Sequence, residues 1–85
     1  MDRVATIRER LIAAFAPVSL EIEDESHLHI GHPGARSGGG HFSVTITAEA
    51  LNGMSRVTQH RKIYAALGEM MGTEIHALRI QAGEA

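Results

Sequence analysis

Residues 41–47, HFSVTIT, alternate strictly, and this alternation constrains the fold more than any other stretch. Phe42, Val44 and Ile46 point one way; His41, Ser43, Thr45 and Thr47 point the other. Period two with β-branched residues reads as a half-buried strand. Residues 48–51 then allow one short helical turn, which Asn52-Gly53 breaks. Ser55 is placed to cap a second helix, with apolar residues at Val57, Tyr64, Leu67 and Met71 and with Ile63 and Met70 beside them. One segment thus supplies a strand, a helix-turn-helix-like corner and the longest helix. The remaining elements must pack on it.

Those elements are legible on both sides. Residues 2–15 read as an amphipathic helix, with Val4, Ile7, Leu11, Ala14 and Phe15 inward and Asp2 as its cap. Pro17 stops it, and Ala16 is biased towards extended geometry. Residues 18–24 alternate again, with Val18, Leu20 and Ile22 inward and Glu21 and Glu23 outward, and pair most simply with 41–47 as a hairpin. Gly72 is the expected left-handed residue after the long helix. Residues 75–82 form the last strand, with His76, Leu78, Ile80 and Ala82 on one face. A strand, a crossover helix and a following strand normally make a parallel unit. The expectation is therefore an α+β fold of order α-β-β-α-α-β, with a three-stranded mixed sheet and its helices on one face. Residues 1–85 form a single domain, with 1–2 and 83–85 expected to fray.

Composition removes several function classes. With no cysteine, disulfides and thiolate-only metal sites are impossible. No Ser-His-Asp or Cys-His arrangement, G-x-G-x-x-G or P-loop is present, so no enzyme is expected. No apolar run is long enough to span a bilayer. The chain runs from Met1 directly into an amphipathic pattern, so neither a signal peptide nor a membrane partner is expected, and the cytoplasm is the expected compartment. A net charge of −2 and a pI near 6.3 argue against a general polyanion binder.

Two local biases outweigh these totals. Acid clusters at Glu21, Glu23, Asp24 and Glu25, and base at Arg56, Arg61 and Lys62, so the chain is dipolar. Histidine clusters too: four of the six, His27, His29, His32 and His41, stud the two ends of a long glycine-rich link between the first two strands. Neutral imidazole is a good ligand for iron and zinc. A simple zinc module of His29, His32 and His76 would satisfy that chemistry. The basic residues Arg56, His60, Arg61 and Lys62 lie on the second helix of the corner at 49–67, where a helix-turn-helix would present them to a major groove. Three fixed cations make few phosphate contacts, so such binding is expected to be weak. An RNA-clamping Gly-x-x-Gly loop would fall at Gly53-Met54-Ser55-Arg56, where the second glycine is missing, and no RNA partner is expected.

Four motifs together resemble the BolA family. They are Gly40-His41-Phe42-Ser43-Val44, Leu51-Asn52-Gly53, His60-Arg61-Lys62-Ile63-Tyr64 and Ile75-His76-Ala77-Leu78. The match runs over residues 7–80. Gln59 stands where the family usually has Arg, and Leu51 where it usually has an aromatic. The resemblance implies a fold similar to type II KH domains. It implies a monothiol glutaredoxin as partner and a shared [2Fe-2S] cluster, in iron–sulfur trafficking or iron sensing. His76 matches the family's strand ligand. The second ligand comes from the loop between the first two strands, where His29 matches best and His32 is a close substitute. Two ligands do not complete a cluster that needs four. The rest would come from the glutaredoxin's active-site cysteine and glutathione, so no cofactor is expected in the isolated protein. The resemblance also implies an alternative role as a DNA-binding transcriptional regulator through 49–67. A homodimer is a further possible assembly.

Overall fold

The computed structural model describes residues 2–26 and 40–85; His27, His29 and His32 lie outside the described residues. Helix α1 is Arg3–Phe15, strand β1 Ser19–Asp24, strand β2 Gly40–Thr47, helix α2 Arg56–Leu67 and strand β3 Ile75–Gly83. Short 3₁₀ turns occupy Glu49–Leu51 and Gly68–Met70. The sheet order is β1-β2-β3, antiparallel between β1 and β2 and parallel between β2 and β3. This is the expected α+β order and mixed sheet.

The core follows the alternation of β2. Phe42, Val44 and Ile46 are buried against Ile7 and Leu11 of α1 and Ile63 and Leu67 of α2, with Leu51, Met70 and Ile75 completing one cluster. Both helices therefore cover the same face of the sheet. The opposite face carries Glu21, Glu23, Ser43, Thr45, Arg79 and Gln81. Among the described residues, no helix is long and apolar enough to cross a membrane.

Caps fall where side-chain chemistry puts them. The Ala5 N–H donates to Asp2 Oδ1 (3.2 Å), and the Thr58 N–H to Ser55 Oγ (3.2 Å). Ala16 departs from expectation. It is left-handed, with φ 45°, and its N–H donates to Ile12 O (2.9 Å). The need to close α1 outweighs the extended bias ahead of Pro17, at a cost of about 1–2 kcal/mol for a residue with a Cβ.

Three further expectations need correction. Val18 is 70% exposed, because β1 begins one residue later and only its N–H reaches the sheet, donating to Thr47 O. On α2 the buried residues are Gln59, Ile63 and Leu67, whereas Val57 and Tyr64 are 59% and 40% exposed. Gln59 can face the core because its Nε2 donates to Leu51 O (3.1 Å), satisfying a buried carbonyl. Helix α2 ends at Leu67. The Arg10 guanidinium donates to Leu67 O (2.9 Å), and Gly72, with φ +90°, instead shapes the turn into β3. Near the termini, Asp2 caps α1, Gly83 pairs with Thr47, and Asn52 exchanges two hydrogen bonds with Ala85.

Candidate functional site

Parallel pairing brings the starts of β2 and β3 to one end of the sheet. The register there is irregular. Gly40 pairs with Ile75 but His41 with Ala77, so His76 has no residue opposite it. This is a β-bulge, a device that re-aims a side chain. It also changes the phase of the strand. Ile75 is buried with Leu78, Ile80 and Ala82 turned inward after it, while His76 is exposed. The expected shared face for His76, Leu78, Ile80 and Ala82 is thus broken at its first member.

His41 comes beside His76, with ring centroids 5.2 Å apart and planes tilted by 47°. The Nε2 of His41 is buried, so His76 is the solvent-facing member of the pair. The backbone of His41 is held on both sides. Its N–H donates to Ser26 Oγ (3.0 Å), and the Glu25 N–H donates to its carbonyl (2.7 Å). Ser26 is oriented in turn, its N–H donating to Asp24 Oδ1 (2.9 Å). The Gly40 N–H donates to Glu74 O (3.0 Å). Ser26 and Gly40, the two residues flanking 27–39, are thus fixed next to the histidine pair. The proximity of His41 to His76 escaped sequence reading. The signal for it was the parallel crossover, which aligns the starts of its two strands.

Chemically, His76 fits a metal or cluster ligand. Its imidazole is presented to solvent from a backbone held by a sheet, with a second ring behind it. Among the described residues, no three metal-ligating side chains come together. The assignment of His29, with His32 as substitute, lies outside the described residues.

The basic residues divide. Arg56 and His60, one helical turn apart, line a groove of about 510 Å³ with Thr45, Thr47, Ile80 and Ala82. Arg61 and Lys62 are exposed on α2 and do not line it. The groove lies towards the far end of β3 from His76, where Ile80 and Ala82 are about 13–20 Å away along the strand.

Comparison with known proteins agrees with this architecture. The family model for BolA-like proteins matches residues 11–84. SufE-like protein 1 of Arabidopsis thaliana is 41% identical over 86 residues, covering 95% of this chain and 23% of that protein. The DNA-binding transcriptional regulator BolA of Escherichia coli is 40% identical over 74 residues, covering 87% of this chain and 68% of that protein. The BolA domain of SufE1 from Arabidopsis thaliana superposes with a TM-score of 0.86 at 39% identity, covering 99% of this chain and 93% of that one. The chain thus spans under a quarter of SufE-like protein 1 but nearly all of the domain from it that was solved. The motifs, the sheet topology and these matches agree: the chain belongs to the BolA-like protein family.

Proposed function

We propose that the protein is a binding module, not an enzyme, that pairs with a monothiol glutaredoxin in the cytoplasm and shares a [2Fe-2S] cluster with it through histidine ligands. Its role is in iron–sulfur trafficking or iron sensing. The observation that carries this reading is His76, exposed at a bulge beside His41 in a chain without cysteine. His76 would supply one imidazole, and His29 or His32 the other. His29 is three residues beyond Ser26, so covalent reach keeps it within about 11 Å of that anchor. The cluster is cargo, and its remaining ligands are thiolates from the glutaredoxin and glutathione. His41 acts as a positioning residue behind His76.

The test mixes the protein with a monothiol glutaredoxin, iron, sulfide and glutathione. The expected result is a visible absorbance and dichroism spectrum distinct from that of the glutaredoxin alone. His76→Ala should abolish it and leave the far-ultraviolet dichroism of the isolated domain unchanged, because His76 is exposed. His29→Ala should weaken it, and the His29→Ala, His32→Ala pair should come close to His76→Ala. A wild-type spectrum from His76→Ala would remove the site assignment.

A second reading, direct DNA binding, is favoured by one observation: Arg56 and His60 converge on a groove. The Escherichia coli relative carries that activity in its name.

A further inference from the structure

Strand β3 lies at the edge of the sheet and is nine residues long. Its pairing determines which backbone groups remain available. The Ala48 N–H donates to Gly83 O (3.4 Å), and in a parallel ladder the residues that bond the neighbour alternate. Ala77, Arg79, Gln81 and Gly83 therefore turn their peptide groups towards β2, and Leu78, Ile80 and Ala82 turn theirs outward. Among the described residues, no strand pairs with that side.

Natural sheets protect edges by shortness, charge, proline or cover. The other edge, β1, has six residues and carries Glu21, Glu23 and Asp24. Strand β3 has no proline and one charged residue, Arg79, whose guanidinium lies 3.6 Å from Glu25. The helix beside it carries charge of a single sign. Helix α2 and β3 together contain Arg56, Arg61, Lys62 and Arg79 and no carboxylate. The groove reaches the C-terminal half of this strand, with Arg56 and His60 on the helix side, Ile80 and Ala82 on the strand side, and Thr45, Ile46 and Thr47 of β2 also lining it.

We propose that the β3 edge and its groove bind an extended acidic segment of a partner protein by strand addition. The outward N–H and C=O groups of Leu78, Ile80 and Ala82 exchange hydrogen bonds with the added strand. Every second side chain of that strand enters the groove, where apolar groups meet Ile80 and Ala82 and carboxylates meet Arg56. A peptide matches this edge because it offers both donors and acceptors. A phosphate backbone only accepts, and leaves the three outward carbonyls unmatched. A second copy presenting its acidic β1 edge would join head to tail without closing.

The probe is an acetylated eight-residue peptide amide, Val-Ser-Glu-Ser-Val-Ser-Glu-Ser, which puts Val and Glu on one face of a strand, titrated into the ¹⁵N-labelled protein. The expected result is amide shifts centred on Leu78, Ile80 and Ala82, with hydrogen exchange there slowed at least tenfold. The same peptide N-methylated at every residue keeps its charge and side chains and should bind at least tenfold more weakly. Arg56→Glu should weaken the unmethylated peptide to a similar degree, and the same peptide with Lys in place of Glu should not bind. Four results would overturn the proposal. The three amides could already exchange slowly in the isolated protein, meaning that the chain covers its own edge. The methylated peptide could bind as well as the parent, leaving charge alone. A single-stranded oligonucleotide of equal charge could displace the peptide and bind more tightly, making the groove a nucleic-acid site. Concentration-dependent polymers in sedimentation would assign the edge to a second copy.

Discussion

A Cβ added at Gly40 would stand 2.6 Å from the Phe42 ring and 2.9 Å from Ser26 Oγ. Both neighbours are committed. Phe42 fills the core, and Ser26 accepts the N–H of His41. Gly40 is thus a packing requirement at the root of the histidine pair. Its place in the run Gly38-Gly39-Gly40 conceals this, because glycine runs read as loop. Gly40→Ala should destabilise the protein by about 1–3 kcal/mol through overpacking. Urea unfolding checks this, and an unchanged midpoint would show that Phe42 or Ser26 yields without cost. The bulge at His76 was equally hidden. One extra residue in a parallel pair leaves no compositional mark, and only the register of β2 against β3 exposes it.

Helix α2 shows how an element's phase can differ from its apolar pattern. Its two exposed large apolar residues, Val57 and Tyr64, looked like core, while polar Gln59 is 7% exposed. The helix is docked by two backbone carbonyls. Gln59 reaches back to Leu51, and Arg10 of α1 closes the far end at Leu67. The hydrogen bond from Gln59 thus adds to the apolar stripe of Ile63 and Leu67 in setting its rotation. Leu67→Ala should cost about 2–5 kcal/mol by opening a cavity. Val57→Ala should change stability by no more than about 0.5 kcal/mol, as an exposed site. Equal losses from the two variants in denaturant titrations would mean that the helix is rotated from the position described.

At the scale of the molecule, charge and the histidine pair are separated. Acid lies along the β1 edge, base along α2, and histidine at the end where β2 and β3 begin. If DNA binds directly, Arg56, Arg61 and Lys62 are its fixed cations. Changing all three to Ala should then sharply weaken binding and reduce the slope of log K against log salt by about three. Affinity already absent at physiological salt, or a slope unmoved by the triple change, would end the direct form of that reading. The His76→Ala cluster experiment is independent of it, since the two sites lie towards opposite ends of β3.

The sequence by itself determined the fold class, the element order, the hairpin and the parallel crossover. These rest on local periodicity, on caps such as Asp2 and Ser55, and on a connection rule that leaves few alternatives. His76 was singled out as a candidate ligand by the family resemblance and not by local pattern. Tertiary structure alone decided how His76 is presented. The bulge, the ring of His41 beside it and the Ser26 brace join residues far apart in the chain, through contacts that no local pattern encodes. It alone decided that Gln59 faces inward, because the carbonyl it satisfies belongs to another element. It also divided the basic residues, turning Arg56 and His60 to a groove and leaving Arg61 and Lys62 on the helix surface. Helix rotation is a whole-core property: it depends on what the sheet and α1 present to α2, and α2's own residues carry only part of that information.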